Sequence, residues 1–215
     1  MRRLLIFLLL ASGPCLAQVR YLALGDSFTC GTGGPPERSF PSQLARLAKQ
    51  RGVEVTLENV AVNGYSTQDL IDDELDALTA FHPDTVTLAI GANDVVRQTG
   101  EGRYRANLAR IFSAILAAGV KPSRVFVLPQ PDWSQSPVAA GFGARAALRE
   151  RLEAHNAILK QEAAKVGAVY VDLFPSFVEQ AKAGLIAPDG LHPSAKAYSA
   201  WADALLDVVF TTRSK

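Results

Sequence analysis

Cysteine is scarce in this sequence, which has Cys15 and Cys30 and no others. Cys15 lies in an N-terminal segment that we expect to be removed, so Cys30 would be left without an intrachain disulfide partner. A disulfide-stapled scaffold is therefore excluded. A chain of 215 residues with 48% hydrophobic residues can instead rely on one sizeable core.

An excess of charge of one sign is also lacking, because the formal net charge is +1. A near-neutral chain has no broad attraction for phosphate backbones, so nucleic acid is a poor candidate partner. The apolar run at residues 4–10 is shorter than the roughly 20 residues that span a bilayer. We therefore expect no stable membrane insertion once this segment is removed.

The N-terminus has the order of an export signal. Two arginines precede the apolar run, and Cys15-Leu16-Ala17 places small residues where signal peptidase requires them. The sequence predicts a signal peptide at residues 1–17 and a single domain at residues 18–215, secreted or periplasmic. A buried N-terminal strand and an uncleaved anchor stay open as alternatives.

Strand-like and helix-like patterns alternate after this segment. Apolar or β-branched segments predict strands at residues 19–24, 53–62, 85–90, 124–128 and 168–173. Helical spacing predicts helices at residues 39–51, 67–81, 101–118, 144–166 and 194–210. Thr67 is the expected N-cap of the second helix. The alternation is typical of a parallel sheet covered by helices on both sides.

The first chemical motif, Gly-Asp-Ser-Phe-Thr at residues 25–29, directly follows the first predicted strand. A serine in a strand-to-helix turn can project its hydroxyl from the sheet edge and direct its own N–H at a bound oxygen. Thr29 stands where the nucleophile elbow of the usual α/β-hydrolases has glycine, so that elbow is not supported. We expect Asp26 to brace the turn.

Two further motifs follow the second and third predicted strands. Gly64, in Asn63-Gly64, allows close approach of the backbone and can offer its N–H to a ligand. Asn93, in Gly-Ala-Asn-Asp at residues 91–94, can donate its side-chain amide to a developing oxyanion. We expect Asp94 to have a structural role.

The fourth motif is Asp-Gly-Leu-His-Pro at residues 189–193, a turn expected to open a helix at Pro193. Asp189 can accept a hydrogen bond from one imidazole nitrogen of His192 and fix its tautomer. The other nitrogen would then face Ser27 and act as its base.

These four motifs, in this order, resemble the SGNH hydrolases, also called the GDSL esterase/lipase family. The resemblance covers roughly residues 21–206. It implies a three-layer α/β/α fold with a doubly wound, flavodoxin-like sheet of five parallel strands, and hydrolysis of esters or thioesters without a cofactor. One departure is Phe28, where the family motif has leucine.

The resemblance also implies a role for each matching residue. Ser27, Asp189 and His192 would form the catalytic triad. The Ser27 N–H, Gly64 and Asn93 would form the oxyanion hole.

The substrate pocket is predicted less directly. Trp133 and Phe142 flank the irregular stretch at residues 129–143, and either line a pocket or only pack the loop. The full set of pocket candidates is Phe28, Asn63, Trp133, Phe142 and Leu191.

Several polar residues are expected to lie outside the chemistry. His82 and His155 are interpreted as a loop residue and a surface or satisfied residue. No pair of possible ligands, Asp189 and His192 included, has zinc-like local spacing, so we predict no metal. Arg97 and Arg103 are expected to be solvated.

The sequence therefore predicts a secreted serine esterase that acts on a small ester of short to medium acyl length. A lysophospholipase, a thioesterase or a polysaccharide deacetylase of the same family stays open. A non-catalytic secreted binding module is the alternative of another class. Oligomeric state cannot be derived from the sequence.

Overall fold

The computed structural model describes residues 18–210, so the predicted signal peptide lies outside the described residues. Five strands form one sheet: β1 Val19–Gly25, β2 Val55–Asn59, β3 Thr85–Ala89, β4 Val125–Val127 and β5 Val169–Tyr170. Their order across the sheet is β2-β1-β3-β4-β5, and every neighbouring pair is parallel. The expected flavodoxin-like, doubly wound arrangement is confirmed.

The α-helices of the described part are α1 Ser27–Cys30, α2 Phe40–Gln50, α3 Thr67–Asp73, α4 Asp76–Phe81, α5 Ala92–Val96, α6 Glu101–Ala117, α7 Arg145–Val166, α8 Phe174–Lys182 and α9 Ala195–Val209. Helices α2, α8 and α9 cover one face of the sheet, and α3, α4 and α6 cover the other. The long helix α7 contributes side chains to both hydrophobic clusters. This arrangement gives the three layers.

The central strand β1 shows why the sheet is enclosed. Tyr21 and Ala23 pack in the hydrophobic cluster on one face, whereas Leu22 and Leu24 pack in the cluster on the other. Successive side chains of a strand point to opposite faces, so a strand that is apolar throughout must be buried on both.

The predicted helix at residues 67–81 is two helices, α3 and α4, because a tertiary contact overrides local propensity. Glu74 ends α3 and its carboxylate accepts a hydrogen bond from Gly25 N–H at 2.9 Å. The N-cap of α3 is Ser66 rather than Thr67. Asp69 completes a capping box with Ser66, which leaves Thr67 free for a buried contact with Asp94.

Other boundaries also differ from the sequence-based prediction. The last helix begins at Ala195, since the Ser194 hydroxyl caps it and Pro193 remains outside. The last strand is only Val169–Tyr170, at the edge of the sheet, where pairing exists on one side alone. The predictions missed three helices altogether: α1, α5 and α8.

Candidate active site

The end of β1 places Ser27 at the start of α1. Gly25 has φ 154°, and a Cβ there would lie 2.3 Å from the Ala89 carbonyl oxygen of β3, so only glycine lets the two strand ends approach this closely. Asp26 is the N-cap of α1, and its carboxylate accepts a hydrogen bond from Phe28 N–H at 3.1 Å. The turn therefore fixes the backbone that carries the Ser27 hydroxyl.

Asp189 and His192 form a close pair in one turn. Asp189 Oδ2 lies 2.8 Å from His192 Nδ1, while Oδ1 accepts from the N–H groups of Leu191 at 2.9 Å and His192 at 3.0 Å. Burial tends to raise the pKa of Asp189, but these hydrogen bonds and the imidazole outweigh it and hold the pKa below its ordinary value. A carboxylate that is ionised at neutral pH can accept a hydrogen bond from the Nδ1–H group of His192.

The remaining imidazole nitrogen of His192, Nε2, is buried close to the turn that carries Ser27. The His192 ring packs 5.2 Å from the ring of Phe28, the residue after Ser27. No described residue is hydrogen-bonded to His192 Nε2. Ser27 and Leu191 line the same cleft. The fold thus brings Ser27 and His192, which are 165 positions apart in the sequence, to the same end of the sheet.

A tight turn after β2 carries Gly64. Tyr65 N–H donates to the Val62 carbonyl at 3.3 Å, and Gly64 has φ 85° at the centre of that turn. No described residue accepts a hydrogen bond from Gly64 N–H. Asn93, in α5 after β3, donates its side-chain amide to the Tyr65 carbonyl at 2.9 Å. Two of the predicted oxyanion donors therefore belong to elements that contact each other.

A small cleft of about 80 Å³ opens at this edge of the sheet. Trp133 is buried in its wall, and the ring of Phe142, which is 40% exposed, meets Trp133 edge-on at 5.4 Å. These two aromatic residues both line the cleft and pack against each other. Pocket lining and loop packing, which the sequence left as alternatives, are therefore both observed. The lining residues are Ser27, Phe28, Ala92, Asn93, Val96, Trp133, Phe142 and Leu191.

The cleft has two lining residues that the predicted pocket lacks, and it lacks one predicted residue. Ala92 and Val96 line the cleft beside Asn93, and their spacing on one helical turn after Gly91 was the signal that could have found them. Asn63 is exposed and does not line the cleft.

Buried carboxyl groups support the loops that carry the site residues. Burial raises the pKa of Asp26 to about 7 and that of Glu74 to about 8, although each accepts a hydrogen bond from a backbone N–H. Asp94 accepts from the N–H and hydroxyl of Thr67 at 2.8 and 2.7 Å. No local pattern marks Glu74, which lies within a helical stretch and becomes important only through its contact with Gly25.

The structure adds detail to the expectations for two basic residues. Arg97 is exposed, as expected, and its guanidinium also donates to the Gly64 carbonyl at 2.9 Å and to Asp69 at 2.6 Å. Of the two interpretations of His155, surface or satisfied, the structure agrees with the second. The residue is buried, Nδ1 lies 3.0 Å from the Arg151 carbonyl, and the ring packs 4.6 Å from Tyr104.

Two other kinds of site are absent from the described residues. Between residues 18 and 210, no three histidine, cysteine or acidic side chains are grouped so that they could hold a metal ion. In the same part of the chain, no helix has the length and apolar content of a membrane span.

Comparison with known proteins identifies the class. A model of the GDSL-like lipase/acylhydrolase family matches residues 23–200. An arylesterase of Vibrio mimicus is 26% identical over 195 residues, which cover 90% of this chain and 89% of the relative. A GDSL-like esterase of Mycobacterium tuberculosis is 30% identical over 202 residues, which cover 87% of this chain and 60% of that relative.

Solved structures share the fold at low identity. TesA has a TM-score of 0.72 at 20% identity, over 88% of this chain and 97% of TesA. The acetylxylan esterase Axe2 of Geobacillus stearothermophilus has a TM-score of 0.72 at 21% identity, over 92% of this chain and 97% of that one.

Fold and relatives together define a carboxylic-ester hydrolase with a three-layer α/β/α architecture. The chain belongs to the GDSL-like lipase/acylhydrolase family, since the family model spans most of its length. The resemblance derived from the four sequence motifs is confirmed.

Proposed function

We propose that this chain is an exported serine esterase that hydrolyses esters of short to medium acyl chains. The observation that carries the proposal is the Asp189–His192 pair, held at 2.8 Å, with the His192 ring packed 5.2 Å from the ring of Phe28, the residue after Ser27. Residues 1–17 would direct export and then be removed, and residues 18–215 would form the mature domain.

The proposed reaction proceeds by two acyl transfers. His192 Nε2 takes the Ser27 hydroxyl proton as Oγ attacks the ester carbonyl, and Asp189 stabilises the imidazolium that results. The oxyanion accepts hydrogen bonds from the N–H groups of Ser27 and Gly64 and from the Asn93 amide. The alcohol leaves with the proton from His192, and water then hydrolyses the acyl-enzyme by the same route.

We expect the hydrogen bond between His192 Nε2 and Ser27 Oγ to form when substrate binds. His192 Nε2 and Ser27 Oγ are not hydrogen-bonded in the structure, and catalytic hydrogen bonds often tighten only in the complex with substrate. Nε2 has no partner among the described residues, so it is free to accept a hydrogen bond from the Ser27 hydroxyl once that group is aligned.

The size of the cleft supports a small acyl group. Its volume of about 80 Å³ is well below the several hundred Å³ typical of drug-sized ligand pockets. Its wall is mainly apolar or aromatic, from Phe28, Val96, Trp133, Phe142 and Leu191. An uncharged, short apolar acyl chain fits this lining better than a charged group does.

The proposal is tested by comparing wild type with Ser27→Ala on esters of increasing acyl length, on thioesters and on acetylated sugars. We expect Ser27→Ala to lower kcat by on the order of 10⁴ or more, since the nucleophile is lost. The matched control is Ser123→Ala, which removes an exposed serine between α6 and β4, away from the cleft.

Labelling with a fluorophosphonate provides a second measurement. We expect wild type and Ser123→Ala to react and Ser27→Ala to remain unlabelled. A wild-type protein inert to both the probe and every ester would contradict the proposal and favour a binding module. Undiminished turnover by Ser27→Ala would remove Ser27 as nucleophile.

A further inference from the structure

Arg97 connects three groups around the Gly64 turn. Its Nη2 donates to the Gly64 carbonyl at 2.9 Å, and its Nη1 donates to Asp69 Oδ2 at 2.6 Å and to the Ser66 hydroxyl at 3.2 Å. The planar guanidinium suits this arrangement, because it presents several N–H groups in a fixed fork. The proposed triad and oxyanion donors do not include this residue.

The backbone of Arg97 is held in place at the end of α5. It is the C-cap of α5, its N–H donates to the Asn93 carbonyl at 2.8 Å, and the next residue, Gln98, has φ 56°. The chain therefore reverses directly after Arg97. Helix α5 also carries Asn93, whose amide reaches the Tyr65 carbonyl. One short helix thus holds two consecutive carbonyls of the turn through two side chains.

Asp69, which binds the Arg97 guanidinium, is itself held in place by hydrogen bonds. Asp69 Oδ2 accepts from the N–H and hydroxyl of Ser66 at 2.7 and 2.8 Å as well as from Arg97. Burial alone tends to raise the pKa of Asp69, but Ser66 and the guanidinium outweigh it and the pKa is lowered. Asp69 is therefore a carboxylate at neutral pH, and it fixes the guanidinium by charge as well as by hydrogen bonding.

We propose that Arg97 is a positioning residue that fixes the Gly64–Tyr65 peptide, and so holds the turn in which the adjacent Asn63–Gly64 peptide aims the Gly64 N–H at the oxyanion of the bound ester. This inference rests on the proposed function, because it assumes that Gly64 donates to the oxyanion. Gly64 has φ 85° and open space around its α-carbon, so neighbouring side chains do not hold its orientation. The hydrogen bond from Arg97 to the Gly64 carbonyl supplies that restraint, together with the hydrogen bond from Tyr65 N–H to the Val62 carbonyl across the same turn.

The alternative use of Arg97 is recognition of an anionic substrate. The structure favours the positioning role, because both terminal nitrogens of the guanidinium already donate to protein oxygens. Arg97 is also not among the residues that line the cleft.

The test measures kcat and KM separately for Arg97→Ala and Arg97→Lys, with Arg103→Ala as a matched control that removes an exposed arginine of α6. We expect Arg97→Ala to lower kcat by about 10- to 100-fold while KM changes by less than about threefold, because the oxyanion donor is misplaced only in the transition state. Arg97→Lys should recover little, since an ammonium lacks the fork geometry.

Chemical rescue separates a positioning role from a merely structural one. Added guanidinium ion, below denaturing concentrations, should restore part of kcat in Arg97→Ala and leave Arg97→Lys and Arg103→Ala unchanged. Should Arg97→Ala not fold, the kcat of Arg97→Lys decides the question alone. A kcat within about threefold of wild type in whichever variant is folded would overturn the inference.

Ser27→Ala, assayed in parallel, keeps two kinds of failure apart. If it is inactive while Arg97→Ala and Arg97→Lys keep full kcat, the inference fails and the serine esterase proposal stands. If Ser27→Ala keeps its turnover, the proposed function fails and takes the inference with it.

Discussion

At the scale of single residues, Asn93 combines a structural and a proposed catalytic contact. Its side-chain amide has two hydrogens, and one is held by the Tyr65 carbonyl at 2.9 Å. The second remains available for a bound oxyanion. The first contact fixes the rotamer, so the proposed donor needs little reorganisation when negative charge develops.

We expect Asn93→Ala to lower kcat by roughly 10²- to 10³-fold, because a donor to the oxyanion is lost together with its support for the Tyr65 carbonyl. Steady-state kinetics on a short-chain ester measure this. Gln68→Ala is the matched control, since that amide donates to Asp72 on α3. Equal kcat values for Asn93→Ala and wild type would argue against an oxyanion contact.

At the scale of elements, the stretch after β4 joins the long helix to the turn that carries His192. Asp132 is fully buried and lies 3.2 Å from Arg149 of α7, and the Gln130 backbone makes two hydrogen bonds at 2.9 Å with Asn156. Val138 N–H donates to the Gly190 carbonyl at 3.3 Å. The wall of the cleft and the proposed base are therefore mechanically connected.

Phe142 is the exposed part of this wall, and its removal is expected to lengthen the accepted acyl chain. We predict that Phe142→Ala raises the ratio of kcat/KM for an octanoyl over an acetyl ester about fivefold or more, because a large side chain no longer limits the cleft. The matched control is Val208→Ala, an equally exposed apolar residue on α9. An unchanged chain-length profile would show that Phe142 packs the loop without limiting the acyl group.

At the scale of the whole molecule, buried acids couple stability to pH. Burial raises the pKa of Glu74 from 4.5 to about 8 and that of Asp26 from 3.8 to about 7. Because both folded-state values lie above the unfolded ones, folding favours the protonated carboxyls. This stability is fully present below the unfolded values and is lost as pH rises through about 7 and 8.

We expect the melting temperature of wild type to fall by roughly 5 °C or more between pH 5 and pH 9, and to fall less in Glu74→Gln, which cannot ionise. Thermal unfolding followed by circular dichroism across this range gives the measurement. Glu150→Gln, an exposed glutamate on α7, should keep the wild-type profile. Coincident profiles for Glu74→Gln and wild type would show that Glu74 does not control this dependence.

The sequence by itself determined the alternation of strands and helices and the positions of the four motifs. Both depend on local rules: apolar periodicity, glycine at strand ends, and an acid and a histidine three residues apart in one turn. Asp189 and His192 could be paired from spacing alone for that reason. The family, with its five-stranded parallel sheet, follows from the order of those motifs.

Only the tertiary structure decided which distant groups meet. Glu74 contacts Gly25 across 49 positions, and Arg97 contacts Gly64 across 33. Local pattern carries no signal for such pairs, because each residue fits its own helix equally well whether or not it has a partner. Their roles arise when parallel strands bring several loops to one edge of the sheet, where buried polar groups must find hydrogen bonds from one another.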